Sequence, residues 1–200
     1  MKKDEFLFNI FLGLSIFVWG VIGLYNGIFE QFSTVRLSSS TLNLVIGVLI
    51  ISRKAVIKSG SIKSVLISIP SLILGGILFK IAHPFDNWSL LSEFAFVIGT
   101  LFTIISYIFL GKNFSICPKL RSVTINGPYS IIRHPGYTCE IVLILLCCIE
   151  NISPLTIIVF MVFIYSLYCR IMEEEKILST TQEYIKYKSN VKWRILPYVW

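Results

Sequence analysis

Between Asn126 and Glu140 the sequence sets polar chemistry between apolar segments: Asn126-Gly127-Pro128-Tyr129, then Arg133-His134-Pro135-Gly136-Tyr137, then Glu140. Gly127-Pro128 favours a turn, and Pro135 biases His134 toward extended backbone, so a helix starts at Pro135 or Gly136 instead of running through. The first amide N–H groups of such a helix lack intrahelical partners and carry the positive end of its dipole. With Arg133 and His134 beside it, that start is an anion site sized for a carboxylate or phosphate. Tyr137 and Glu140, three apart, share one face and add an aromatic surface and a negative charge. The set suits a zwitterionic ligand.

A second polar stretch lies near the other end of the chain. Arg170 to Asn190 reads as a helix leaving the membrane, with Ile171, Leu178 and Ile185 at intervals of seven. Glu173-Glu174-Glu175 stands near its beginning, where acids favour the dipole if this helix is separate from the sixth span, and Arg170 and Glu174 share a face. Trp193, Pro197, Tyr198 and Trp200 follow, aromatic residues of the kind that anchor at a membrane interface.

The elements that must hold these residues are membrane helices. The chain has 200 residues, of which 55% are hydrophobic and 14% charged, with mean hydropathy +0.78; a soluble domain carries about 25% charged residues. Lipid is therefore the expected solvent. Apolar segments run over Phe6–Phe29, Leu37–Ser52, Ser64–Phe79, Glu93–Leu110, Tyr137–Ile149 and Ile152–Cys169. They predict an all-α polytopic membrane bundle of about six spans, or five if the short second segment is re-entrant, ending in a cytoplasmic amphipathic helix. The first segment reads as a span and not as a removed leader. The net charge of +7 sits mainly in connections: Lys2-Lys3, then Arg53, Lys54, Lys58 and Lys63, then Lys112, Lys119, Arg121 and Arg133. The positive-inside rule then puts both termini and the 112–136 loop in the cytoplasm, in the plasma or inner membrane if the source is bacterial. No nucleic-acid motif carries this charge. Cys117, Cys139, Cys147, Cys148 and Cys169 form no C-x-x-C pair and fall in or beside apolar segments, so they read as packing residues, with no metal site.

Gly127-Pro128-Tyr129, Arg133-His134-Pro135-Gly136-Tyr137, Arg170 with Glu174-Glu175, and the Tyr184/Tyr187 tail together resemble the isoprenylcysteine carboxyl methyltransferase family and its phospholipid methyltransferase-like relatives. Gly111-Lys112-Asn113-Phe114-Ser115 is similar to the segment preceding the motif in bacterial members. The resemblance covers about residues 99–198, and divides the chain into N-terminal transmembrane helices (1–92) and a methyltransferase-like region (93–200). It implies S-adenosylmethionine as cofactor, bound among membrane helices and closed in by the tail. On that reading Arg133, His134, Pro135 and the helix start hold the carboxylate, Tyr137 packs on the methionine part, and Glu140, Glu174 or Glu175 attracts positive charge. Tyr129 and Trp193 would flank the adenine, and Arg170 and Glu174 would orient the acceptor near the methyl group. Two departures stand out: Cys139 takes the place of a usual glycine, and Met172-Glu173 replaces a second arginine and a small residue.

The acceptor implied is lipophilic: a prenylated carboxylate, or a lipid amine, drawn from the surrounding membrane lipids. Two other readings remain. One is a nicotinamide-dependent membrane reductase of the sterol-reductase type, against which stand the short chain and the lack of a basic cluster for a 2′-phosphate. The other is a non-enzymatic membrane protein, in which Arg133-His134 would merely anchor a helix end and the acidic run would be a solvated face. The sequence carries no sign of oligomeric state.

Overall fold

The computed structural model describes residues 3–83, 85–116 and 118–200, without the side chains of residues 3–5 and 86. Lys2, Pro84 and Cys117 lie outside the described residues. Among the described residues seven α-helices follow one another: α1 (Lys3–Tyr25), α2 (Thr34–Ile51), α3 (Ile62–Ile81), α4 (Leu90–Leu110), α5 (Pro135–Ile149), α6 (Pro154–Leu178) and α7 (Gln182–Asn190). Five of these, α1 to α4 and α6, give stretches long and apolar enough to cross a membrane. Rings and branched chains such as Phe11, Trp19, Leu66 and Leu90 stand exposed along them, as expected where lipid replaces water. The chain is an integral membrane protein.

Local chemistry explains the helix starts. Ser33, Ser61, Ser89, Ser153 and Thr181 each accept a backbone N–H of the first turn, capping α2, α3, α4, α6 and α7. The Ser33 cap extends the second apolar segment backwards through Val35 and Arg36, so α2 reaches 18 residues and is long enough to span. The short one among the apolar helices is α5, with 15 residues, or about 22 Å of rise against a core of about 30 Å. The N-cap of α5, His134, makes no side-chain capping bond.

Packing arranges the helices around the motif. α1 lies against α2 so closely that a Cβ on Gly13 or Gly47 would stand 2.8 Å from the other's carbonyl oxygen, a small-residue contact of the kind membrane helices use. α2 also packs on α4, α3 on α6, and α5 between α4 and the α3–α6 pair. Phe163 of α6 is fully buried against Ile144 of α5 and Leu78 of α3. Pro70 sits inside α3, which continues through it.

The loops at one end of the bundle are stitched together. Strands β1 (Lys58–Ser59) and β2 (Lys119–Leu120) pair antiparallel, and the Arg121 Nε donates to the Lys54 carbonyl at 2.9 Å. The two basic connections, 52–61 and 111–134, thus share a face of the bundle.

The C-terminal region differs from the single helix expected over Arg170–Asn190. α6 runs unbroken past Cys169 to Leu178, because nothing between them interrupts a helix; a turn at Ser179–Thr181 then starts α7 afresh. The three glutamates therefore lie in the last turns of the sixth helix, not at a helix start.

Candidate active site

Three consecutive carboxylates point three ways, as side chains about 100° apart around a helix must. Glu173 accepts from the Ser64 hydroxyl of α3 at 3.0 Å and pairs with Lys176. Glu174 accepts from the Tyr137 hydroxyl of α5 at 2.5 Å. Glu175 turns toward the tail. Its Oε1 receives the Arg133 Nε at 2.7 Å, stands 3.3 Å from His134 Nε2 and accepts from the Tyr184 hydroxyl at 3.4 Å. Its Oε2 receives the Arg194 Nε at 3.0 Å, with Lys188 Nζ 3.9 Å away.

Arg133 completes this clasp. Its NH1 donates to the Val191 and Lys192 carbonyls, both at 2.7 Å, and the backbone N–H groups of Arg133 and His134 donate to the Trp193 and Arg194 carbonyls at 2.9 and 2.8 Å. The Arg133 guanidinium, expected to hold a ligand carboxylate, spends these donors on Glu175 and the tail backbone. The Tyr187 hydroxyl donates to the Tyr129 carbonyl at 2.6 Å and closes the same seam. Burial pushes the Tyr187 phenol up to about 12 and raises Tyr129 well above the ordinary phenol range, so both stay protonated near neutrality.

On the other side of Tyr137 lies Arg170, buried in the sixth helix. Its guanidinium carbon stands 4.9 Å from the centre of the Tyr137 ring, its NH2 donates to the Ile116 carbonyl at 2.6 Å, and its NH1 lies 4.0 Å from Glu140 Oε2. The His134 ring stacks on Tyr137 with centroids 5.5 Å apart. Arg170 Nε is buried without a partner among the described residues.

These side chains border a cavity of about 590 Å³. Of the expected residues, Tyr129, Arg133, His134, Tyr137, Glu140, Arg170 and Glu174 line it. Pro135, Glu175 and Trp193 do not: Pro135 borders a shallower apolar groove with Thr138 and Cys139, Glu175 holds the tail, and the Trp193 ring packs on Tyr198. The uncapped start of α5 is part of the wall through Gly136 and Tyr137. Gly136 is required there, since a Cβ would stand 2.7 Å from the Tyr107 ring.

Several lining residues carried no signal in the sequence. Tyr107 and Thr100 come from the apolar fourth segment, and Asn43 and Leu72 from the second and third. The polar part of the cavity is thereby continuous with an apolar arm between α2, α3 and α4, where Leu42, Leu72, Phe79 and Phe96 form the wall. Among the described residues, no group of three or more His, Cys, Asp or Glu side chains could hold a metal ion.

Comparison with known proteins agrees with the motif. The model of the isoprenylcysteine carboxyl methyltransferase family matches residues 91–180, just under half of the chain, from the start of α4 to the turn before α7. The match holds the motif, Arg170 and the three glutamates; it begins earlier than the resemblance read from the sequence and stops before the tail. No curated protein matches the chain.

Proposed function

We propose that this integral membrane protein is an S-adenosylmethionine-dependent methyltransferase acting on a lipophilic acid, by carboxyl O-methylation. The observation that carries the reading is one cavity with two kinds of wall: the α5 start, Tyr137, Glu174 and Arg170 on one side and the apolar arm on the other. A zwitterionic, cationic cofactor and a lipid acceptor each find matching chemistry there.

The donor set fits the cofactor. The free N–H groups at the α5 start and His134 would receive its carboxylate; Glu174, fixed by the Tyr137 hydroxyl, would face its positive charge; and Tyr129 would border the adenine. S-adenosylmethionine supplies a methyl group already activated on a sulfonium, so transfer to a carboxylate cancels opposite charges and needs no proton. What the chain contributes is positioning and charge complementarity. Arg170 orients the acceptor carboxylate, with Glu140 tempering its charge and Tyr137 carrying its face. Glu175 and Arg133 act one step back, by holding the tail across the site. The tail and the basic loops face the cytoplasm on this reading.

Calorimetry on detergent-purified protein with S-adenosylmethionine and NADPH tests it. Saturable S-adenosylmethionine binding, weakened at least tenfold in His134→Ala and in Glu174→Gln, is the expected result. Binding of NADPH alone would move the protein to the reductases, and binding of neither would remove the enzymatic reading.

A further inference from the structure

The apolar arm of the cavity is not uniformly apolar. Thr100, on α4, is 2% exposed, borders the cavity, and has a hydroxyl without a hydrogen-bond partner among the described residues. Its neighbours on the helix behave otherwise. Thr103 donates back to the Gly99 carbonyl at 2.8 Å and Ser106 to the Phe102 carbonyl at 2.8 Å, while Ser92 accepts from Ser89. Asn43, on α2, also borders the cavity, and its amide makes no hydrogen bond to a described residue.

The two groups share a depth. Thr34, at the start of α2, donates to Glu93, in the first turn of α4, at 2.8 Å, so these helices run in the same direction. From that bond Asn43 lies roughly 13 Å along α2 and Thr100 roughly 10 Å along α4, at about 1.5 Å per residue. Both stand near the middle of their spans, a depth at which a polar group left unpaired in an apolar surrounding is costly. Polar side chains at such depth usually bind something or tie helices together. Thr100 ties no described residue.

We propose that Thr100 and Asn43 form a second subsite of the cavity, which takes a neutral hydrogen-bonding group (hydroxyl, keto or amide) set within the hydrocarbon part of the acceptor. Tyr107, which packs against Gly136, marks the level of the reacting end, and Thr100 lies seven residues deeper on the same helix, roughly 10 Å. The acceptor is thus a lipid acid functionalised partway along its chain. The proposal rests on the methyltransferase reading only for which end of the lipid reacts.

The test compares octadecanoic acid with 10-hydroxyoctadecanoic acid, whose hydroxyl stands at about that distance from the carboxylate, by calorimetry on the full chain in nanodiscs. The wild type is expected to prefer the hydroxy acid by about tenfold, the value of one hydrogen bond. Thr100→Val with Asn43→Leu should erase the preference and keep binding of octadecanoic acid. Equal affinity of the wild type for both acids, or binding of neither, overturns the proposal. Thr100→Val alone, without lipid, should melt at the same temperature or higher, since it removes an unpaired hydroxyl; a clear fall would reveal a structural partner and overturn it too. S-adenosylmethionine titrated into the same samples reads the cofactor site separately, so a failed methyltransferase assignment leaves the chain-position preference readable on its own.

Discussion

Glu174 and Glu175 are adjacent in the sequence and differ in what each carboxylate touches. Glu175 is saturated by Arg133, Arg194 and Tyr184, with His134 and Lys188 near, so it is a structural anion. Glu175→Gln leaves the buried Arg133 charge uncompensated and should destabilise the fold by about 3–5 kcal/mol, read as a large fall in melting temperature with or without cofactor. Among the described residues Glu174 has one hydrogen-bond partner, Tyr137, and it borders the cavity. Glu174→Gln should melt as the wild type does and bind S-adenosylmethionine at least tenfold more weakly, the scale of losing one charge-assisted contact. If the two variants exchanged these behaviours, the division of roles along α6 would be reversed. Spacing put both acids on the same surface of the chain as the motif but could not tell them apart. A rotation of one residue around a helix decides which of them meets the cavity, and only packing sets it.

At the scale of elements, the link between α5 and the tail includes bonds made by backbone and phenol alongside those of the Arg133 guanidinium and the Thr138 hydroxyl. The Arg133 and His134 N–H groups bond to carbonyls at 193 and 194, and the Tyr187 hydroxyl of α7 bonds to the Tyr129 carbonyl. Tyr187 is a neutral donor whose pKa is lifted by burial from 10.0 to about 12. The folded state holds this proton more tightly than the unfolded one, so the contribution is complete below pH 10 and declines as pH rises from 10 to about 12. Melting temperatures taken across that window should fall, and less steeply in Tyr187→Phe than in the wild type; identical slopes would mean that other groups control the tail. This seam also shows where sequence reading stops. The break at Pro135 and the apolar spans were legible because proline chemistry and lipid-length hydrophobic runs are local. The continuation of α6 to Leu178 ran against the expectation that Arg170 begins a new helix, since charge alone does not end a helix. The pairing of Lys58–Ser59 with Lys119–Leu120 involves two residues on each side, too few to leave a pattern.

At the scale of the molecule, the helices divide into α1–α2–α4 on one side and α3–α6 on the other, with α5 joining them. The cavity lies between the two groups. Trp19, Leu72 and Gly76 border it and are exposed, and on the proposed methyltransferase reading the gap between α2 and α3 is where an acceptor would enter from the bilayer. A Cβ at Gly76 would meet nothing within 4 Å, so a larger residue fits without disturbing the packing. Gly76→Leu therefore occupies the entrance and leaves α5, Glu174 and the tail as they are. S-adenosylmethionine binding should be unchanged, while kcat/KM for a long-chain acid falls about tenfold or more, because each blocked methylene contact is worth about 0.8 kcal/mol. A short, water-soluble acid, which can reach the polar end without passing α3, should be methylated equally well by both proteins. Loss of both substrates in Gly76→Leu would place the entrance elsewhere; loss of neither would show that the arm between α2, α3 and α4 carries no acceptor.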